Sequence, residues 1–547
     1  MTRLDITMTK PALISRMAAQ YLVEQLAVWG VERIYGVIGD ATLPLMDAID
    51  RQGEIRYVGC RLEMTAALMA SAEAKLTGRM AVCTATSGPG ITSLLNGLGD
   101  AHMDRVPVLA LTGQVERKEI GTGTKQEVDQ QRLIQPLAVF SSLVADPQAL
   151  PVLLNKAMRQ ATASGGVAHL SVPKELWMQT VDHSLFPPFP SQPAPLPRQE
   201  DVSQAAALLN GSSRPVILAG RGVKGAEEAL LQLAERMGAP IVTTMPSRSA
   251  VPNDHPLFIG GLGQAGSDIA SDLLKESDCC LILGSTWWPE DYVPSTVPIV
   301  QVDAVAEHIG ERVPVTVPVT GEMRAVLSQL TPMVQARAET DWNRRVNQMR
   351  QGWKEQIETE ATAEERPIPP QRVIAALNRC VADDAVIALD VGDHVLWFNR
   401  IFQAVRQDIL LSGRWRTLGF GLPAAMAAKL AYPDRQVIAL VGDGGFGTTL
   451  SDLLTAVSCG LPLTILCMNN GTYAMEQNRM ITAGLSSLGS DLHNPDFVRM
   501  AESFGAEGLR VKDPAQLEPV LQSALASDRV TLVDVLCDDT VVPHTQL

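Results

Sequence analysis

No apolar run in this sequence approaches the roughly 18 residues that a membrane-spanning helix needs. The opening stretch, MTRLDITMTKPALISRMAAQYLVEQL, has no uninterrupted apolar core of signal-peptide length. Basic excess is missing as well: 45 lysines and arginines stand against 60 aspartates and glutamates, a formal charge of -15. A binder of the nucleic-acid backbone needs a basic stripe, so that class of partner is excluded. The eight cysteines form no C-x-x-C, and most sit in apolar runs such as SDCCLILG, where buried reduced thiols are expected. No G-x-G-x-x-G follows a first strand with the acidic residue that a dinucleotide-binding unit needs. Together these absences predict a cytoplasmic protein with neither a membrane nor a nucleic-acid partner.

What is present is a long chain able to bury large cores: 547 residues, 46% hydrophobic and 19% charged. At roughly 100–200 residues per domain, three or four domains are expected. Two segments break the pattern. DHSLFPPFPSQPAPLPRQEDVS (182–203) reads as an extended proline-rich linker, and residues 336–371 read as a charged helix ending in a proline-rich break. They leave three domains, at 12–182, 200–335 and 370–540. In each, short apolar runs alternate with helix-length segments: RIYGVIG, RMAVCTATSG, VPVLALTG and GVAHLSVP; then RPVILAG, PIVTTM, CCLILGS and VPIVQVD; then AVIALDVG, RQVIALVGDG, LPLTILCMNN and RVTLVDVLCD. The pattern predicts an α/β protein with three doubly wound parallel sheets. Ligands of such sheets lie beyond the carboxyl ends of the strands. Glycine loops end several strands there: IGD, TSGPG, TGQ, DVGD and VGDGG.

The stretch GDGGFGTTLSDLLTAVSCGLPLTILCMNN (442–470) carries the chemistry. Gly442 and Gly444 let the backbone approach a ligand closely, and Asp443 projects from the strand end. TTLSDLLTAVSCG has helical apolar spacing, which places a helix start after the loop, where phosphate is favoured. Neighbouring strands bring Asn470 to Asp443 across 27 positions (470 − 443). A hard cation such as Mg²⁺ takes near-octahedral oxygen ligands and shares them with phosphates. Asp443, the Asn470 amide oxygen, the backbone carbonyl near Thr472, two diphosphate oxygens and a water would complete that shell.

GDG followed by about two dozen residues and NN resembles the thiamine diphosphate signature. TLGFGLPAAMAAKLAYPDRQVIALVGDGGF, TSGPGITSLLNGLGDAHMDRVPVLALTGQV and GTKQEVDQ are similar to acetolactate synthases and pyruvate oxidases, in order and over nearly the whole chain. The resemblance implies a pyrimidine-binding domain, a central domain and a diphosphate-binding domain. It further implies active sites between subunits of a homodimer or homotetramer. A glutamate that promotes the imino tautomer of the coenzyme's aminopyrimidine falls at Glu63 in VGCRLEMTAALMA, where the family's usual histidine is Leu62. Leu418 matches the bulky residue that wedges under the thiazolium, and the carbonyl of Arg416 would meet the pyrimidine amino group. Gly392 and His394 lie where diphosphate contacts occur. Gly39 in IGD and Gly445 in GDGG belong with the coenzyme contacts of the strand-end loops. Gln126 matches a glutamine that reaches the reaction centre.

Two departures concern substrate. Lys125 stands where phenylalanine is usual, and Arg479 stands in the region where acetolactate synthases carry a tryptophan that selects the acceptor. Two cations would favour a 2-oxo acid with an extra anionic group; the alternative is that both face solvent or pair with Glu127 and Glu476. The central domain's ILAGRGVKGA, GGLGQAGSDIA and LGSTWWPEDY are similar to flavin-bearing domains, and relatives exist with and without FAD. The chain stops at VVPHTQL, without the long C-terminal extension of acetolactate synthases and quinone-linked pyruvate oxidases. The expected reaction is decarboxylation of a 2-oxo acid and transfer of the acyl group to an acceptor carbonyl. The alternatives are transfer to phosphate, as in sulfoacetaldehyde acetyltransferases, oxidation through FAD, and a non-catalytic binding relative.

Overall fold

Apolar runs without polar alternation must be covered on both faces, and here helices cover them. The computed structural model describes residues 15–188, 195–264, 266–288, 292–294, 296–338, 340–362 and 364–543. Residues 12–14 of the expected first domain and 189–194 of the expected linker lie outside the described residues. The chain divides into two compact units, Met1–Ser191 and Gln192–Leu547.

The first unit contains β1 (Arg16–Met17), β2 (Arg33–Gly36), β3 (Arg56–Gly59), β4 (Ala81–Ala85), β5 (Val108–Gln114), β6 (Ala138–Leu143), β7 (Val167–Pro173) and β8 (Thr180–Val181). Six of these form a parallel sheet in the order β3-β2-β4-β5-β7-β6, while β1 and β8 make a separate antiparallel ribbon.

The second unit holds two more six-stranded parallel sheets. The central one has β9 (Pro215–Ala219), β10 (Ile241–Thr243), β11 (Phe258–Gly261), β12 (Cys279–Leu283), β13 (Ile299–Asp303) and β14 (Val317–Thr320), in the order β11-β10-β9-β12-β13-β14. The last has β15 (Val386–Leu389), β16 (Asp408–Leu411), β17 (Val437–Gly442), β18 (Thr464–Asn469), β19 (Glu507–Val511) and β20 (Thr531–Leu536), in the order β16-β15-β17-β18-β20-β19. The first and last sheets therefore repeat one topology. In both, the opening strand has its successors on opposite sides, which leaves a crevice at its carboxyl end. That switch point lies between β2 and β4 in one sheet and between β15 and β17 in the other.

Every strand expected from the sequence is an inner strand. The outer ones, β3, β6, β11, β14, β16 and β19, were not among the apolar runs.

Within the second unit, the helix Asp393–Ile401 joins the last sheet to the central one. Its Asn399 donates to Leu262 O at 3.3 Å, and the fully buried Arg248 donates to Phe402 O at 2.9 Å. Arg400 forms a two-pronged pair with Glu360, Nε to Oε2 at 2.8 Å and Nη2 to Oε1 at 2.7 Å. Glu360 belongs to the charged helix Asp341–Ala361, which buries Trp342, Val346 and Trp353 and donates from Trp342 Nε1 to Pro215 O at 3.1 Å. Among the described residues, no helix is long and apolar enough to cross a membrane.

Candidate active site

The crevice between β15 and β17 opens into a cavity lined by residues from four strand ends, those of β15, β16, β17 and β18. Gly392, His394, Arg416, Leu418, Gly442, Asp443, Gly444, Gly445, Asn470 and Thr472 all lie on its wall. They are separated by up to 80 positions (472 − 392), and the parallel pairing brings them together: β17 pairs with both β15 and β18, with Gly442 opposite Met468.

Asp443 is the first residue of the helix Asp443–Thr449 and is 2% exposed. Its Oδ2 accepts from Gly471 N at 2.8 Å and from Asn494 Nδ2 at 2.6 Å. Burial raises its carboxyl pKa, and these hydrogen bonds oppose the rise. The Asn470 amide oxygen accepts from Thr472 N at 3.2 Å, so it turns back over the same loop. Among the described residues, no three His, Cys, Asp or Glu side chains gather to hold a metal. A cation here would thus need amide and main-chain oxygens beside the Asp443 carboxylate, which suits a hard ion that keeps phosphate or water ligands.

The helix expected after the GDGG loop instead starts at Asp443 itself and breaks at Leu450–Asp452 before resuming at Leu453–Ser458. Close packing explains glycine in this unfavourable setting. A Cβ on Gly444 would lie 2.5 Å from the Tyr473 ring, and one on Gly445 would lie 2.8 Å from the Asp390 carboxyl. Gly445→Ala is expected to lower stability by about 1–3 kcal/mol through overpacking, read as a shift in the urea midpoint of the apo-protein.

Asp390 was not singled out by sequence, although DVGD marked its loop. It is fully buried, and its only hydrogen-bond donors among the described residues are backbone amides. Oδ1 accepts from Val391 N at 2.7 Å and Gly419 N at 2.8 Å, and Oδ2 from Gly421 N at 3.2 Å. Burial pushes its carboxyl up to about 6 against the pull of those amides. Asp390 therefore clamps the loop that presents Leu418 to the cavity. Arg416 in the same loop has φ +57°, a conformation that non-glycine residues adopt only under constraint.

His394 is buried, and burial pushes its pKa down to about 4, so the ring is neutral. Nε2 faces the Asp390 carbonyl oxygen at 3.2 Å. A carbonyl only accepts, so Nε2 carries the proton and Nδ1 presents a lone pair. Asp393, also missed by sequence, lines the cavity beside it.

The first unit presents its own strand-end cluster. Glu63 is the first residue of the helix Glu63–Thr77, half-buried, behind an exposed Leu62. Gly39 follows β2, and a Cβ there would collide with the Thr86 side chain after β4. A Cβ on Gly88 would lie 2.9 Å from Gln126 Cα, so TSGPG and Gln126 are in contact. Gln126 has φ +63° and is exposed, as is Lys125. Glu127 is occupied with the backbone of its own loop, accepting from Gly121 N at 2.5 Å and Gly123 N at 2.8 Å. Arg479 does not line the cavity of the second unit; its Nη1 sits 3.4 Å from Glu476 Oε1, while Nε is buried without a partner among the described residues.

Three family models match the chain in order: the thiamine pyrophosphate enzyme N-terminal TPP binding domain over residues 16–133, the central domain over 202–330 and the C-terminal TPP binding domain over 390–535. The chain belongs to the thiamine pyrophosphate enzyme family. Relatives in this family align nearly end to end. The "Putative thiamine pyrophosphate-containing protein YdaP" of Bacillus subtilis is 37% identical over 528 residues, covering 95% of this chain and 92% of its own. The pyruvate oxidase of Lactiplantibacillus plantarum is 30% identical, covering 97% and 90%. The acetolactate synthase isozyme 1 large subunit of Escherichia coli is 30% identical, covering 95% and 94%. The cavity residues from Val391 to Glu476 fall within the matched C-terminal TPP binding domain, and Glu63 and Gln126 fall within the matched N-terminal one.

Proposed function

We propose that this family member decarboxylates a 2-oxo acid and transfers the acyl group to an acceptor carbonyl. The observation that carries this reading is the convergence of Asp443, Asn470 and Thr472 on one cavity, which also takes in the Leu418 loop clamped by Asp390. When bound, thiamine diphosphate supplies the carbon nucleophile and the electron sink. Asp443, the Asn470 amide and the Thr472 carbonyl would hold Mg²⁺ against its diphosphate. Leu418 would set its bend, and the Arg416 carbonyl would accept from its pyrimidine amino group. Glu63 would hold a proton at the pyrimidine ring nitrogen, and Gln126 would orient the reacting groups.

Glu63 and Gln126 belong to one unit and the cavity to the other, which suits assembly of at least two copies with each site shared between them.

A panel of 2-oxo acids with thiamine diphosphate and Mg²⁺ tests the reading, with CO₂ release and products followed by mass spectrometry. No decarboxylation of any acid, despite coenzyme binding, would favour a non-catalytic relative. Acetyl phosphate formed only with added phosphate would favour the transferase alternative.

The likeness to pyruvate oxidase supports FAD-linked oxidation as a second reading. The central-sheet glycines do not themselves require a nucleotide: a Cβ on Gly222 would lie 2.7 Å from Gly284 Cα, so packing within the protein explains them. A flavin spectrum in the purified protein would decide for FAD.

The proposal extends to a substrate with an additional carboxylate, sulfonate or phosphate, met by Lys125 and Arg479. Glu127 is engaged by its own loop, and the Arg479–Glu476 contact is long and half-exposed. Lys125→Ala and Arg479→Ala are each expected to raise KM for such a substrate about tenfold or more, as for the loss of a hydrogen bond to a charged group. Unchanged KM in both would remove the idea.

A further inference from the structure

The cavity proposed to receive an anionic coenzyme tail is itself acidic. Asp443 has a task there as a metal ligand, whereas Asp393 has none. Asp393 directly follows Gly392, opens the helix Asp393–Ile401 and is 7% exposed. It lines the cavity next to Gly392 and His394. Its Oδ2 accepts from Trp397 Nε1 at 3.1 Å, a neutral donor on the same helix. No lysine, arginine or histidine among the described residues forms an ion pair with it.

The surrounding charges do not compensate for a buried anion. Asp538 after β20, Glu476 from the helix Ala474–Thr482 and Asp443 from the GDGG turn share the cavity wall. Asp539 acts on Asp393 through its negative charge. The neighbouring His394 is neutral, and among the described residues the one cation on the wall is Arg416, which is exposed. Burial, reinforced by Asp539 and opposed by Trp397, pushes the Asp393 carboxyl up to about 7.

An ionised Asp393 would add repulsion to desolvation when a diphosphate enters. A protonated carboxyl is instead a donor, and a hydrogen bond from it to a phosphate oxygen is charge-assisted. We infer that Asp393 binds the coenzyme as a neutral acid, donating a hydrogen bond to its anionic tail, so that proton binding and coenzyme binding are linked. This rests on the reading of the cavity as the diphosphate site.

The sign and size follow from linkage. Binding selects the protonated carboxyl, so affinity is full below the free group's pKa and falls as pH rises through it. With that pKa near 7, about nine-tenths of the protein is competent at pH 6 and about one-tenth at pH 8, so Kd rises about tenfold across the window.

The test uses the full chain freed of coenzyme, titrated with thiamine diphosphate at saturating Mg²⁺ and pH 6, 7 and 8. Tryptophan fluorescence reports binding, because Trp397 lines the cavity. Wild type and Asp393→Asn are compared. The coenzyme's own ionisation and that of the other wall acids are common to both proteins, so the ratio of their Kd values isolates this carboxyl. The ratio of wild type to variant is expected to rise about tenfold from pH 6 to pH 8. A ratio that does not change with pH overturns the inference. Complete loss of binding in Asp393→Asn overturns it too, since asparagine keeps a donor in place. Failure of the wild type to bind at every pH would instead overturn the reading of the cavity.

Discussion

Asp443→Ala and Asp443→Asn are expected to weaken thiamine diphosphate binding by at least about 100-fold. Changes around a metal's direct ligands typically cost 10- to 100-fold, and loss of a ligand itself should not cost less. The two variants separate charge from packing. Alanine leaves Gly471 N and Asn494 Nδ2 without the acceptor they share, at about 1–3 kcal/mol of apo-protein stability. Asparagine keeps an acceptor oxygen for them and removes only the negative charge. The apo-protein of Asp443→Asn should therefore unfold close to wild type while its coenzyme Kd, measured with Mg²⁺, rises as far as that of the alanine variant. Wild-type affinity in Asp443→Asn would show that no cation is held by this carboxylate.

Glu63→Gln should separate turnover from binding in the opposite sense. Glutamine matches the shape of glutamate but cannot exchange a proton. Loss of one positioned proton-transfer group typically costs about 10²- to 10⁴-fold in rate, and kcat is expected to fall within that range. Coenzyme Kd should move no more than about threefold, because the diphosphate and metal contacts lie on other residues. Glu63 is half-buried at a helix start, which leaves its carboxyl open to a ligand. Full turnover in Glu63→Gln would remove Glu63 from the proposed chemistry. Opposite patterns in the two variants, affinity lost at Asp443 and rate lost at Glu63, would support separate anchoring and proton-handling roles.

The inner strands were legible because burial on both faces demands unbroken apolar sequence, as in VIALVG of β17 and TILCMN of β18. Most outer strands were not, because an edge is only partly covered and its sequence is mixed; β11, FIGG, is buried throughout but is short and half glycine. β3 is RYVG with only Val58 fully buried, β6 is AVFSSL and mostly half-buried, and β19 is EGLRV. The cavity was legible at Asp443 and Asn470 because their spacing spans one βαβ unit. Asp390 and Asp393 were hidden inside a loop already marked DVGD, since their roles depend on burial. Asn494 lies 51 positions from the carboxylate it contacts, and no local pattern announces it. The helix start at Asp443 was misplaced because propensity disfavours glycine there, whereas contact with Tyr473 and Asp390 requires it.

The helix that begins at the cavity between β15 and β17 ends in the grip of the central domain, through Asn399 and the carbonyl of Phe402, and of the charged linking helix, through Arg400. The last domain is consequently not a detachable cassette. Excising it at the proline-rich break would strip Glu360 from Arg400, whose side chain is 5% exposed, and leave a stranded cation at the foot of the cavity wall. Transplants between family members should therefore carry the central and last domains together, with the seam placed before Gln199.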